Sequence, residues 1–178
     1  MPFTPFHMGV ALVIKPVSHR WFSLFAFGAA QIVMDIEPLL GMLLGWGQLH
    51  GWTHTLIGAL CLAPVAAVLT TTLYPWLARW WNGHMRIHRQ QWLCMHLPLA
   101  TKAVWAGALT GTFSHVLLDA FMHTDMQPLA PFSAVNPVLW WVQHDHVYTG
   151  CAIAGAIGGL VWFMQLWRQR QKNPASQP

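Results

Sequence analysis

Residues 148–167 read YTGCAIAGAIGGLVWFMQLW, a run from Tyr148 to Trp167 without one Asp, Glu, Lys or Arg. A helix needs about 20 apolar residues to cross a hydrocarbon core of about 30 Å, and this run has that length. Working outward from it, three less regular stretches have a similar span. They run from about Trp21 to Trp46, interrupted by Gln31, Asp35, Glu37 and Pro38, from about Thr53 to Trp76, and from about Thr101 to His123. Phe6 to Ile14 is apolar but too short to cross, and reads as a half-span or a surface helix. In lipid only helices and closed barrels satisfy their own backbone groups, and the chain lacks the period-2 alternation of a barrel. The expected fold is all-α, with about four transmembrane helices in one membrane-embedded domain, residues 1–167. A polar cytoplasmic tail follows at residues 168–178.

Composition agrees with this reading. Of 178 residues, 55% are hydrophobic and 8% charged, whereas a soluble domain carries about 25% charged residues. A soluble globular chain is excluded, and so is a disordered one. The net charge is +4, but the nine Lys and Arg form no basic motif. Nucleic acid is therefore not an expected partner. Cys61, Cys94 and Cys151 stand apart with no CxxC pair, which argues against a disulfide framework and a thiolate metal site. The N-terminal stretch Met1-Pro2-Phe3-Thr4-Pro5 has no basic leader, so no cleaved signal peptide is expected.

Charge is sorted along the chain. Lys15 and Arg20 precede the first span. Arg79, Arg86, Arg89 and Lys102 fall between the second and third or at the edge of the third, and Arg168, Arg170 and Lys172 follow the fourth. With four spans all nine lie on one side, which the positive-inside rule makes cytoplasmic, together with the C-terminus. Trp21, Trp76, Trp80, Trp81, Trp92 and Trp167 mark the inner interface, and Trp46, Trp52, Trp140 and Trp141 the outer one. Between Arg79 and Leu97, an apolar stripe of Trp81, Met85, Trp92 and Met95 predicts a helix lying on the inner surface. Gly41 and Gly45, Gly107 and Gly111, and Gly155 and Gly159 are small-xxx-small pairs that allow close helix packing.

The acids carry the chemistry. Asp35, Glu37 and Asp119 fall inside spans, where an unpaired charge costs at least about 2.5 kcal/mol. No Lys or Arg shares their depth, which leaves His or a cation as partner. His115 and Asp119 stand four apart on one helical face. His50 and His54 are four apart at the mouth of the second span, and His7 lies in the N-terminal apolar segment. Imidazole with carboxylate suits zinc or another divalent transition ion. A polar helix–helix hydrogen bond is the plainer use of His115 and Asp119. His84, His88 and His96 read as interface residues, His144, Asp145 and His146 as a solvated loop, and His123 and Asp125 as ligands or groups supporting ligands. No Gly-rich phosphate loop, HExxH or GxSxG is present.

Three segments carry a family resemblance: MDIEP at Met34–Pro38, HGWTHT at His50–Thr55 and SHVLLD at Ser114–Asp119, with His7 and Gly9 ahead of them. Over about residues 4–132 the chain resembles the LexA-regulated inner-membrane family of metal-dependent hydrolases. The order His, Asp, His, His-x-x-x-Asp is more remotely similar to the helical zinc-dependent phospholipase C and fungal zinc nuclease superfamily, whose members hold a zinc cluster and hydrolyse phosphoesters. The resemblance implies a metal site of His7, Asp35, His54, His115 and Asp119, with His50 and Glu37 as further ligands or supporting groups. Those phospholipases also use an N-terminal Trp and downstream His and Glu ligands, whereas this chain begins Met1-Pro2 and no acid follows Asp145. One or two ions, zinc foremost, are therefore expected rather than three.

The resulting expectation is a multi-pass, metal-dependent hydrolase of the bacterial inner membrane. It would act on a phosphoester of a lipid at the outer leaflet, with membrane lipids and a lipid-like substrate as partners. Asp35 or Glu37 is the candidate base, and Pro128 to Trp141 is a cover for the site or an interface anchor. A metal-ion carrier could use the same ligands but needs them at several depths, and here they gather in the outer half. A structural module stapled by the polar cluster is the third reading.

Overall fold

The structure is a computed structural model, and it describes residues 5–46 and 49–172. The Met1–Thr4 start, Gly47 and Gln48 of the first predicted outer loop, and Asn173–Pro178 of the polar tail lie outside the described residues. The described chain is all-helical: α1 (Met8–Ser18), α2 (Leu24–Leu44), α3 (Leu56–Ile87), α4 (Thr101–Met122) and α5 (His144–Lys172). Single 3-10 turns at Pro5–His7, His19–Trp21, Trp52–His54 and Gln91–Leu93 join them.

Local chemistry sets the ends. The Ser23 hydroxyl accepts from Ala26 N at 3.1 Å and starts α2, and Thr55 does the same for α3 through Gly58 N at 2.9 Å. Both are N-cap residues whose oxygen meets an otherwise unpaired amide. Gly45 ends α2 at a φ of 73°, a left-handed conformation that glycine adopts without Cβ strain. It is therefore a cap, with nothing within 4 Å of an added Cβ, and the predicted Gly41/Gly45 packing pair does not form.

The Gly107/Gly111 pair and one member of the Gly155/Gly159 pair, Gly155, do bring helices together. A Cβ on Gly107 would strike the Ser23 carbonyl, and one on Gly111 would lie 2.7 Å from Ala30 Cβ. These contacts advance in step along both chains, so α4 runs parallel to α2. An alanine-rich core of Ala26, Ala30, Ala63, Ala66 and Ala108 fills the space where α2, α3 and α4 meet. On the other flank α1 runs parallel to α5. A Cβ on Gly9 would strike the Cys151 carbonyl, one on Gly158 the Leu12 carbonyl, and Gln165 Nε2 donates to Pro16 O at 3.1 Å. The close contact on α5 is thus Gly155 with Gly158, since Gly159 meets only Leu12 Cδ1 at 4.0 Å.

Two expectations change. The stretch Arg79–Leu97 is not a separate surface helix. α3 continues through it to Ile87, and the chain then folds back along α3. Trp81 Nε1 donates to Leu93 O at 3.0 Å, Asn82 bonds both backbone groups of Met95 at 2.6 and 2.8 Å, and Tyr74 Oη donates to His96 O at 2.9 Å. Trp81 of the predicted stripe faces the returning chain, and these hydrogen bonds hold that chain against α3. The second change concerns the span count. Three helices, α2, α3 and α5, are long and apolar enough to cross a membrane. α4 has 22 residues but carries Lys102, His115 and Asp119 among several Thr and Ser. It packs between α2 and α3, which bury the face carrying Gly107, Gly111, His115 and Asp119, while Trp105, Phe113 and Leu117 stay exposed on the other face.

The helix directions separate the charges. All nine Lys and Arg lie toward one end of the bundle, and all five acids toward the other. At the acidic end, residues 124–143 fold back over the helix tips. Leu56 N donates to Pro128 O at 2.9 Å, Asn136 Nδ2 to Ala120 O at 2.8 Å, and Trp140 N to Phe121 O at 3.2 Å. Val138 packs on the cluster of Met34, Ala59, Val116 and Met126.

Candidate metal centre

The predicted site residues come from four separate pieces of chain. His7 closes the turn before α1, Asp35 and Glu37 lie on α2, His50 and His54 flank the turn before α3, and His115 and Asp119 lie one turn apart on α4. His7, Asp35, His50, His54, His115 and Asp119 are all buried. His115 Nε2 is 3.1 Å from Asp119 Oδ2, 3.5 Å from Asp35 Oδ1 and 3.2 Å from His54 Nε2. His54 Nε2 is 3.6 Å from Asp119 Oδ2. On the other oxygen of the same carboxylate, His7 Nε2 stands 3.6 Å from Asp119 Oδ1 and His123 Nε2 4.0 Å away. Asp119 thus has imidazoles on both oxygens.

The surrounding hydrogen bonds fix which nitrogens face inward. Gln31 Nε2 donates to Gly111 O at 2.9 Å, which turns Gln31 Oε1 toward His115 Nδ1 at 2.7 Å. An amide oxygen only accepts, so His115 Nδ1 carries a proton, and in the neutral ring the Nε2 lone pair points at the cluster. His54 repeats the pattern. The Thr53 hydroxyl donates to Glu37 Oε2, and its oxygen then accepts from His54 Nδ1 at 2.9 Å. His50 Nδ1 donates to Asp125 Oδ1 at 2.8 Å. Metal-ligating histidines commonly show this arrangement, one nitrogen held by a carboxylate, carbonyl or amide oxygen and the other left basic. With both rings neutral, His115 Nε2 and His54 Nε2 present lone pairs to each other at 3.2 Å and to carboxylate oxygens at 3.1–3.6 Å. Such a group repels itself unless a metal ion or a proton sits among its members.

His7 supports the same conclusion independently. It is 1% exposed, and neither ring nitrogen has a hydrogen-bond partner among the described residues. Asp119 Oδ1 stands 3.6 Å from Nε2, beyond hydrogen-bond length, and a buried imidazole short of hydrogen bonds costs on the order of 2 kcal/mol or more, which a ligand would relieve. Among the described residues, four overlapping groups of three bring donor atoms within 4.8 Å: His7, His115 and Asp119; Asp35, His54 and His115; His50, His54 and Asp119; and His50, His123 and Asp125. These buried His/Asp groups could hold a metal ion.

Glu37 stands behind this arrangement. It accepts from Thr53 N at 3.0 Å and lies 3.6 Å from His54 Nδ1, on the far side of the ring from the cluster. It tethers the HGWTHT turn to α2. Asp125 tethers the start of that segment through the amides of Leu49 and His50 at 3.2 and 3.1 Å. Burial opposes ionisation of Asp125, but the hydrogen bonds from His50 outweigh it and hold the carboxyl below its ordinary value. His123 stacks on His50 with ring centres 4.2 Å apart. Burial and then the neighbouring His50 lower its pKa to about 4, so it is neutral at pH 7. His144 and Asp145 are exposed at the start of α5, and His84 and His88 lie next to each other, rings tilted by 39°, at the far end of α3. None of these four joins the cluster groups. Gln31 and Thr53 were not singled out as site residues in the sequence. Gln31 had a signal, since it lies one helical turn before Asp35 on the same face.

No family model, curated protein or solved structure matches this chain.

Proposed function

We propose that the chain is a membrane-embedded, zinc-dependent hydrolase that acts on a phosphoester of a lipid. The observation that carries this reading is the spacing of the inward-facing donors: His115 Nε2 lies 3.1–3.5 Å from His54, Asp119 and Asp35, and His54 Nε2 lies 3.6 Å from Asp119. Ligand bonds of about 2.0–2.1 Å in a tetrahedron put donor atoms about 3.3 Å apart. His54 Nε2, His115 Nε2, Asp119 Oδ2 and Asp35 Oδ1 would hold one ion. His7, on the other oxygen of Asp119, supports a second. Zinc supplies charge stabilisation at a phosphoryl oxygen and acidifies water. Asp35 is the carboxylate that also borders an open cavity, which favours it as proton acceptor over Glu37, whose oxygens are engaged by Thr53. The residues of 124–143 that fold over the helix tips would limit access of water.

This reading includes a four-span topology in the inner membrane, with α4 as the additional span, the basic end cytoplasmic and the metal centre in the outer half. The donor groups gather at one end of the bundle, which argues against a carrier, since transit needs sites at several depths. The test is metal analysis of purified protein combined with headgroup release from labelled phospholipid in detergent. Bound zinc and chelator-sensitive hydrolysis are expected. His54→Ala and Asp119→Ala should each lower the rate by more than about 100-fold, beyond the 10–100-fold typical of losing a supporting group. Arg86→Ala, at the opposite end, should keep full activity. Protein that binds no divalent ion, or activity that survives Asp119→Ala, would replace this reading with a structural polar staple.

A further inference from the structure

A cavity of about 400 Å³ opens beside the cluster, between α2, α3 and the start of α1. Its wall is apolar, formed by Met8, Phe25, Ile32, Leu69 and Leu73, with Gly28 leaving space between them. Gln31 and Asp35 are the polar residues of the lining, and both belong to the metal-centre arrangement. The volume is within the usual range for a small-molecule site, about 300–1,000 Å³. Ile32 and Leu73 are half-exposed, at 52% and 50%. The cavity therefore opens sideways from the helices rather than at either end of the bundle. Because α2 and α3 are both apolar enough to cross a membrane, the medium at this opening is hydrocarbon.

The lining on α2 runs from Leu24 to Asp35, eleven residues or about 16 Å of helix. Asp35 lies near the middle of α2 and Leu24 at the basic end of the bundle, so a chain laid along the groove passes from the metal centre toward that end. A water-soluble ligand would find no polar partner along this wall until it reached Gln31 and Asp35, whereas a hydrocarbon chain needs none.

We propose that this groove holds the hydrocarbon tail of a membrane lipid, which enters sideways from the bilayer and brings its phosphoester to Asp35. The headgroup part rests on the hydrolase reading above, whereas the tail site rests on the cavity itself. Gly28 allows a direct test. A Cβ there meets only Met8 Sδ and Cε, at 3.8 and 3.9 Å, so Gly28→Leu grows into the groove without moving backbone.

The probe is phosphatidylglycerol with a photoactivatable diazirine in one acyl chain, in phosphatidylethanolamine vesicles containing the full chain. Labelling should concentrate on Phe25, Leu69 and Leu73. Each excluded methylene removes about 0.8 kcal/mol of burial, so blocking two reduces occupancy about tenfold. Gly28→Leu should therefore lower labelling about tenfold and lower the preference for long-tailed over tail-less phosphoesters by a similar factor. Leu73→Trp fills the same groove from α3 and should do likewise, with retained zinc content reporting that both variants are folded. Labelling spread evenly onto Ile153 and Ile157 of α5, or unchanged in both variants, would overturn the tail site. Groove labelling in a protein that hydrolyses neither class of phosphoester would overturn only the hydrolase reading. Equal hydrolysis of tailed and tail-less substrates without groove labelling would overturn only the tail site.

Discussion

Gln31 shows how one uncharged side chain can set the chemistry of a charged cluster. Its amide spans from Gly111 O to His115 Nδ1 and so decides which His115 nitrogen is basic. Gln31→Met keeps the volume and loses both bonds. The expected outcome is a zinc dissociation constant about 10–100-fold higher, with the helical fold retained, measured by competition against a chelating dye. Gln31→Glu keeps an acceptor facing Nδ1 and should recover part of that loss. Equal zinc affinity in wild type and Gln31→Met would mean that His115 is not oriented for a metal. At this scale the sequence is informative about charge and less so about its support. Asp35, His54, His115 and Asp119 are conspicuous because ionised groups in apolar helices demand partners. Gln31 and Thr53 carry no charge, and their importance comes from neighbours 84 residues and one residue away. Only the first of these has a helical-face signal, and the second depends on a 3-10 turn that periodicity does not reveal.

Among the elements, the pairing of α1 with α5 rests on backbone contact. Gly158 lies on the Leu12 carbonyl, and neither backbone can yield locally. Gly158→Ala must therefore push the two helices apart, and overpacking of this kind costs about 1–3 kcal/mol. Gly159→Ala, with only the flexible Leu12 Cδ1 at 4.0 Å, should be nearly neutral. Unfolding midpoints in mixed detergent micelles measure both. Because His7 closes the turn that leads into α1, Gly158→Ala should also weaken zinc binding, while Gly159→Ala should not. Equal midpoints for the two variants would contradict the packing described. The small-residue pattern thus predicted that helices approach closely, but not which glycine makes the contact. Gly45 follows the same pattern yet serves as a cap, because α2 ends there. The stripe around Trp81 likewise fits a surface helix and a continued α3 equally well. The difference lies in Asn82 and Tyr74, which bond a returning chain from 13 and 22 residues away.

For the whole molecule, the proposed four-span topology depends on α4, whose polar residues lower its hydropathy below that of the other three long helices. Its position supplies the argument that hydropathy lacks. Gly107 faces Ser23 and Ala26, Gly111 faces Phe27 and Ala30, and His115 faces Gln31 and Asp35. α4 therefore keeps step with α2 along most of its length, and if α2 crosses the bilayer, α4 crosses beside it. Its Lys102 then lies at the same face as the other eight basic residues, as the positive-inside rule requires. A three-span alternative would put Arg168, Arg170 and Lys172 on the side opposite Arg79, Arg86 and Arg89, splitting a charge distribution that the fold gathers at one end. Fluorescent-protein and alkaline-phosphatase fusions placed after Gln90 and after Pro178 distinguish the two. Fluorescence without phosphatase activity is expected at both sites, because both face the cytoplasm. A fusion after Ser133, in the segment that folds over the metal centre, should give the reverse. Phosphatase activity from the Pro178 fusion alone would remove α4 from the list of spans and place the basic tail outside.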